Sequence, residues 1–246
     1  MEKILLIIRH AFVSFSGSVL VTILAFFLKF YLVHRLIDAT FSLGVFALGI
    51  SMIEFFSPFS SVGFGGVAAR YIPKWNINSN MKKINHFITS AVLFSLALSL
   101  LYAITFYLNQ GKIFSMLNVR ADQSESIIFL SFLPFFLILM IVRNITGVIN
   151  QILIGLQEVR RSVVASELIG FPLKCVLVFL FIYIGWDLKG ILYAEIISTI
   201  LILFSFLYIL HRTIGVRYRF RISLDWIDKK IMGYALTFFL LAILAK

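Results

Sequence analysis

Five ionisable side chains lie within otherwise apolar stretches of this 246-residue chain: Lys29, Glu54, Arg143, Lys174 and Glu195. A charged group inside hydrocarbon is costly unless it faces other helices, water or an opposite charge. Lys29 and Glu195 lie near the ends of their runs, where a side chain can reach the membrane interface. The chemistry open to the deeper groups is electrostatic, because buried charges in membrane proteins line polar passages or pair with one another.

Glu54 is the deepest of the five. At roughly 1.5 Å per residue, about 18 Å of helix separates it from the inner end of its run and about 20 Å from the outer end, so its side chain reaches neither. Glu54 is therefore predicted either to line a cavity or to form a structural ion pair. Counting from the run ends places it near Arg143 and Lys174 in depth, and places Lys29 near Glu195.

A second polar pattern follows helical spacing in the fourth apolar run. Arg143, Gly147, Asn150, Gln151 and Ile154 fall on one helical face, and all but Ile154 are polar, charged or glycine. Such a stripe predicts a helix face that lines a wet cavity open to the cytoplasm. An amphipathic exit from the bilayer explains the same stripe equally well.

The elements that must position these residues are membrane-spanning helices. Hydrophobic residues make up 61% of the chain and charged residues 13%, whereas soluble domains average about half and about a quarter. A helix crosses hydrocarbon with about 20 apolar residues, and six runs approach that length. The predicted spans are residues 11–33, 41–67, 87–108, 127–149, 169–184 and 191–210. The fifth span is short unless it begins near Ser162.

We therefore predict an all-α, polytopic membrane protein with one six-helix transmembrane bundle over residues 1–212. A basic cytoplasmic loop is predicted at 213–230. The apolar run at 231–245 is about 22 Å long, so residues 231–246 are expected to be the start of a seventh span, cut within the membrane. The run at 11–33 exceeds the apolar region of a signal peptide, which predicts a first span rather than a cleaved leader.

The positive charge of the chain is concentrated at one set of span ends. The formal net charge is +11, and fourteen Lys and Arg residues lie at one set of ends against four at the other. Cytoplasmic ends carry this excess in membrane proteins, so we expect a cytoplasmic N-terminus and a multi-pass protein of the bacterial inner membrane. The placement indicates topology and contact with anionic lipid, and it argues against nucleic-acid binding.

Residues suited to covalent or metal chemistry are sparse. Cys175 is the only cysteine, so neither an intrachain disulfide nor a cysteine metal cluster can form. The four histidines lie at or near span ends without paired spacing, and no glycine-rich phosphate loop or His-Glu-x-x-His sequence occurs. We expect neither an enzyme nor a metal protein.

Three stretches of the sequence match the pattern of one transporter family. The first span contains FVSFSGSVLVTILAFFLKFYLVHRLI, and the second ends in SPFSSVGFGGVAARYIPKW. The connection between spans 4 and 5 reads NQILIGLQEVRRSVVASELIG, a polar exit followed by a re-entering helix. On these features the chain resembles the N-terminal half of a polysaccharide flippase, an O-antigen or oligosaccharide translocase of the multidrug/oligosaccharidyl-lipid/polysaccharide exporter superfamily.

The resemblance implies one lobe of a two-lobed transporter with a central basic cavity. The substrate would be an undecaprenyl-pyrophosphate-linked oligosaccharide, flipped across the inner membrane during surface polysaccharide and lipopolysaccharide synthesis. Arg143, Lys174 and Lys29 could offset the pyrophosphate charge. Glu54 could couple transport to a proton or a sodium ion, and no other cofactor is expected. Expected partners are membrane lipids, a polysaccharide polymerase, a chain-length regulator and a missing C-terminal half.

The predicted substrate-binding residues are the charged and polar groups of these spans: Lys29, Glu54, Arg143, Asn150 and Lys174. Three alternatives stay open. The chain could be a drug or small-molecule exporter of the same superfamily, a membrane-embedded polysaccharide polymerase or acyltransferase, or a non-functional remnant. Large outer loops with clusters of histidine, arginine or aspartate would favour the enzyme, and no connection in this sequence has that size.

Overall fold

The computed structural model describes residues 2–36, 39–78, 80–112, 123–214 and 229–244. These ranges consist almost wholly of helices joined by short turns, and no strand occurs among them. The helices are α1 (Glu2–Arg35), α2 (Ala39–Ser61), α3 (Phe64–Ile77), α4 (Met81–Leu108), α5 (Gln123–Gly155), α6 (Val159–Val163), α7 (Phe171–Tyr183), α8 (Asp187–Ile214) and α9 (Lys229–Leu244). A π-helical segment, Val164–Gly170, joins α6 directly to α7.

Six helical stretches within the described ranges are long and apolar enough to cross a membrane. They are Phe12–Arg35, Ala39–Ser61, Met81–Leu108, Phe129–Gly155, Val159–Tyr183 and Asp187–Ile214. This confirms the prediction of an all-α, polytopic membrane protein built on one six-helix bundle. The run predicted to begin a seventh span forms α9. Residues 215–228, most of the predicted basic loop, lie outside the described residues, so the division into bundle, loop and seventh span stays a prediction.

The second span ends earlier than residues 41–67 suggested. Helix α2 stops at Ser61, because Val62 and Gly63 adopt positive φ values of 44° and 72°. A side chain on Gly63 would also overlap the carbonyl oxygen of Ala235 in α9. Glycine is therefore required here both for the left-handed backbone and for the close approach of α9. The apolar residues after the turn begin α3, a separate helix.

The fifth span is longer than residues 169–184. It begins at Val159, which agrees with the alternative start near Ser162, and it contains the π-helical segment. Pro172 is the second residue after that segment, and proline cannot donate the backbone hydrogen bond of a regular helix. The hydropathy pattern located the apolar part of the span, but the polar residues Ser162, Ser166 and Glu167 hid its first half.

Helix α5 lies at the centre of the bundle and packs against α2, α3, α4 and α8. Its first half carries Phe136 and Met140, which belong to an apolar cluster with side chains of α2 and α4. Its last turns carry Ile149 and Leu153, which belong to a second cluster with α3, α4 and the end of α8. Between these clusters lie the polar residues Arg143, Asn144 and Thr146, so α5 brings a polar layer to the middle of the bundle.

The close approach of α5 to α3 depends on Gly155, the last residue of α5. A β-carbon there would lie 2.5 Å from the carbonyl oxygen of Ala68, a backbone atom that moves only if α3 moves. We expect Gly155→Ala to lower the free energy of unfolding by about 1–3 kcal/mol, the usual cost of overpacking. The melting temperature of the purified chain in detergent measures this change.

Gly44→Ala in α2 is the matched control, because a β-carbon at Gly44 meets open space. Since alanine favours helix over glycine by up to about 1 kcal/mol, this variant should melt at the same temperature or slightly higher. If both variants melted alike, the contact between α5 and α3 would not limit stability.

Candidate functional site

Glu195 of α8 forms ion pairs with two cations from neighbouring helices. Its Oε1 atom accepts from Nη2 of Arg143 in α5, and its Oε2 atom contacts Nζ of Lys174 in α7. The Glu195 side chain is only 4% exposed, whereas Arg143 and Lys174 keep 30% and 20% of their surface. The three residues, called the ionic trio below, therefore bury the carboxylate and leave part of both cations accessible.

The ionic trio carries one net positive charge. Burying a lone carboxylate costs several kcal/mol, and only nearby cations with good geometry offset that cost. Glu195 needs one cation for neutrality, and the trio provides two. The second cation is electrostatically available to an anionic group that enters the site.

The ionic trio faces a cavity of about 410 Å³ between α5, the π-helical segment, α7 and α8. Polar side chains from these elements line it beside the trio: Thr146, Asn150, Ser166, Ser198 and Thr199. Phe171, Ile202 and Phe206 supply apolar wall. The cavity thus combines a charged end, hydroxyl and amide groups and an aromatic surface, a combination that suits an amphipathic solute.

Each hydroxyl group that lines the cavity has a local hydrogen-bond partner. Ser198 Oγ and Thr199 Oγ1 donate to the carbonyl oxygen of Glu195 at 3.0 and 2.7 Å. Ser162 Oγ donates to Asn150 Oδ1, which leaves the amide nitrogen of Asn150 available to the cavity. A β-carbon added at Gly147 would meet nothing within 4 Å, so glycine there keeps the cavity wide at α5.

A buried polar contact on the opposite side of α5 fixes the rotation of that helix. Asn144 Nδ2 donates to Ser60 Oγ of α2 at 3.0 Å and to Ser99 Oγ of α4 at 3.1 Å. Asn144 is 4% exposed, so losing these bonds would leave a buried donor unsatisfied. With Asn144 held toward α2 and α4, the preceding residue, Arg143, faces α8.

The structure brings together three of the five predicted binding residues, Arg143, Asn150 and Lys174. Lys29 on α1 and Glu54 on α2 do not line this cavity, and both side chains are exposed. Their assignment as binding residues stays a prediction. The stripe on α5 also divides, since Gln151 lies against Gly65 of α3 instead of facing the cavity.

Glu195 pairs with two cations that depth counting did not place at its level. Depth counting put Glu195 at the level of Lys29 and Glu54 near Arg143 and Lys174, whereas the structure pairs Glu195 with Arg143 and Lys174. Counting residues from span ends assumes that helices begin at one level and stand upright, and real bundles stagger and tilt them. The useful signal was chemical: Glu195 was one of only two carboxylates within the six predicted spans, and three cations in those spans needed a partner.

Glu54 lies on an unpartnered face of α2. The exposed residues on that face are Thr40, Gly44, Ala47, Leu48, Ser51, Glu54 and Phe55. Among the described residues Glu54 has no ion-pair partner. Because a carboxylate at mid-span is costly in hydrocarbon, this face is expected to meet protein or water rather than acyl chains.

Comparison with solved structures places this fold. The chain is similar to the inward-facing conformation of a multidrug resistance MATE family transporter of the MOP superfamily, with a TM-score of 0.69, 19% identity and coverage of 96% of this chain and 53% of that one. It is similar to MATE in the bent conformation, with a TM-score of 0.69, 18% identity and coverage of 95% and 50%. It also resembles MATE in complex with Br-NRF, with a TM-score of 0.65, 18% identity and coverage of 96% and 56%.

These likenesses define the fold as that of half a MATE transporter. The chain spans about half the length of the solved structures it matches. No protein-family model matches the chain, and no curated protein matches it by sequence.

Substitutions of different members of the ionic trio should lower the free energy of unfolding by different amounts. Glu195→Gln leaves two cations without a counter-charge inside the bundle, so we expect it to lower the free energy of unfolding by about 3–5 kcal/mol. Lys174→Gln leaves the Arg143–Glu195 pair intact and should cost clearly less. Melting temperatures in detergent give the order.

Glu54→Gln is the control for Glu195→Gln, because the same chemical change is made at an exposed side chain. It should alter the free energy of unfolding by no more than about 0.5 kcal/mol. Equal losses for the two glutamine variants would show that the ionic trio does not stabilise the bundle.

Proposed function

We propose that this chain is a lobe of a membrane exporter that moves a small amphipathic molecule bearing an anionic group. The observation that carries the proposal is the ionic trio with its net positive charge, facing a polar cavity inside an apolar bundle. The fold supports it, because the matched solved structures are transporters with about twice the length.

The binding step follows from the charges. An entering carboxylate or phosphate accepts hydrogen bonds from Lys174, while Glu195 keeps its pair with Arg143. Asn150 and the hydroxyl groups orient the polar part of the solute, and Phe171 and Phe206 contact its apolar part. A cavity of about 410 Å³ accommodates a small molecule, which favours the small-molecule exporter. No group in this mechanism forms a covalent bond, so the proposal assigns no enzyme activity.

A lipid-linked oligosaccharide flippase is the second candidate. The positive charge of the site favours it, since an undecaprenyl-pyrophosphate group is strongly anionic and guanidinium and ammonium groups bind phosphate well. In this version the cavity holds the pyrophosphate head, and the sugar chain lies outside it. A polysaccharide polymerase and a chain-length regulator would be partners of the flippase only.

The unpartnered face of α2 fits a second lobe. We include in the proposal that this face, with Glu54 at its centre, contacts a further half-transporter and that Glu54 binds a proton or a sodium ion at that interface. The mid-span carboxylate supports this, because protein or water is the environment that a carboxylate tolerates there. The multi-pass bundle is proposed to lie in the bacterial inner membrane with a cytoplasmic N-terminus, as its basic span ends suggest.

An efflux assay tests the proposed function. Cells that lack their own exporters are loaded with an anionic dye, carboxyfluorescein, or a cationic dye, ethidium, and dye loss is followed by fluorescence. We expect the chain to speed loss of the anionic dye, and Lys174→Gln to slow that effect about tenfold, which corresponds to roughly 1.4 kcal/mol of lost binding.

Lys82→Gln provides the matched control, because Lys82 is an exposed lysine on α4 far along the chain from the cavity lining. It should leave dye loss unchanged. If Lys174→Gln left loss of the anionic dye unaltered, the ionic trio would have no role in transport. Restored surface polysaccharide in a strain lacking its O-antigen flippase, without dye efflux, would favour the second candidate.

A further inference from the structure

A larger cavity lies at one end of the bundle, between the α5–α6 turn, the π-helical segment and α8. Its volume is about 890 Å³. The apolar residues Ile169, Phe204 and Tyr208 line it, and each keeps more than half of its surface exposed. We call this cavity the interfacial groove. Its exposed aromatic lining sets it apart from the polar cavity of the ionic trio.

The interfacial groove has a basic rim. Arg160 and Arg161 lie there together with one carboxylate, Glu158. Arg161 Nη1 donates to Glu158 Oε1 at 3.0 Å, and Thr213 Oγ1 donates to the same oxygen at 3.2 Å. Arg160 is exposed and has no ion-pair partner within the described ranges. The rim therefore carries one net positive charge, and the guanidinium of Arg160 is available to an anion.

The groove lies at the end of the bundle where basic residues gather. One apolar cluster contains Trp75, Ile84, Leu153 and Leu210, so the helix ends near these residues lie at the same end of the bundle. These helix ends also carry Lys74, Lys82, Arg160 and Arg212. Such basic ends normally face the leaflet rich in anionic lipid.

Apolar and basic residues follow one another along the groove in the same order as the acyl chain and the phosphate group of a phospholipid. Apolar side chains of the π-helical segment and α8 form its walls, and the arginines stand at its rim beside the helix turn. An acyl chain fits against the apolar walls, and a phosphodiester fits at the arginines, since guanidinium binds phosphate oxygens through paired N–H donors. The hydrogen bond from Thr213 to Glu158 links the rim to the end of α8.

We propose that the interfacial groove binds one anionic phospholipid, with an acyl chain against Phe204 and Tyr208 and its phosphate at Arg160. The site adds to the transport proposal and does not depend on it. The π-helical segment separates the two cavities: Ala165 and Ile169 face the groove, whereas Ser166 and Gly170 line the polar cavity. A lipid in the groove therefore contacts the back of the wall that carries Ser166.

Native mass spectrometry and melting temperatures of the full chain in detergent test this site. The probes are dioleoylphosphatidylglycerol and dioleoylphosphatidylcholine, which share acyl chains and differ in head group. We expect one retained phosphatidylglycerol and a rise in melting temperature of about 5 °C at saturating lipid. Phosphatidylcholine should give neither effect.

Two variants remove different parts of the groove. Arg160→Gln removes the charge at the rim, and Ser205→Phe fills the apolar part while both arginines stay. Each should abolish retention of phosphatidylglycerol. Lys82→Gln, which removes an exposed charge at the same end of the bundle, should retain it. The melting temperature of each variant without lipid verifies its fold.

Three results would overturn the proposal. Retention in both groove variants would show that the lipid binds elsewhere, and equal effects of phosphatidylcholine would show that the rim charge plays no part. Free glycerol 3-phosphate producing the same rise in melting temperature would show an anion site at the arginines that does not use the groove.

Discussion

The buried carboxylate of Glu195 is the constraint on which the arrangement of α5, α7 and α8 depends. An unpaired carboxylate at this depth would cost several kcal/mol, so the bundle must place cations against it. Arg143 and Lys174 come from two other helices, and both pairs form only when the three helices have one rotation and one relative height. Apolar packing between such helices tolerates other registers, whereas the ion pairs do not.

The same logic applies to the opposite side of α5, where neutral groups replace charges. Asn144 reaches Ser60 and Ser99, so the central helix is tied to α2 and α4 as well as to α8. Apolar clusters lie on both sides of this polar layer along the helix axis. The clusters supply apolar packing between the helices, and the polar layer restricts the helix rotations that this packing can adopt.

The polar layer also explains why a binding cavity exists where it does. Gly147 leaves room at α5, and the ionised and hydroxylated side chains around that space make it polar. The surplus cation of the ionic trio gives that space a preference for anions. The π-helical segment then separates this cavity from the interfacial groove, so one irregular element shapes both. Such segments occur often at functional sites, because their wide turn redirects side chains.

The sequence by itself determined the helical class, the six membrane-capable helices and the need for a polar interior, because hydropathy and span length are local properties. It also singled out Arg143, Asn150 and Lys174, which line one cavity, since helical spacing and burial cost can be judged within one span. Only the tertiary structure decided that Glu195 pairs with Arg143 and Lys174, that Glu54 faces outward and that α2 ends at Ser61. Those outcomes depend on helix rotation, stagger and a left-handed turn, which are fixed by contacts between residues far apart in the chain.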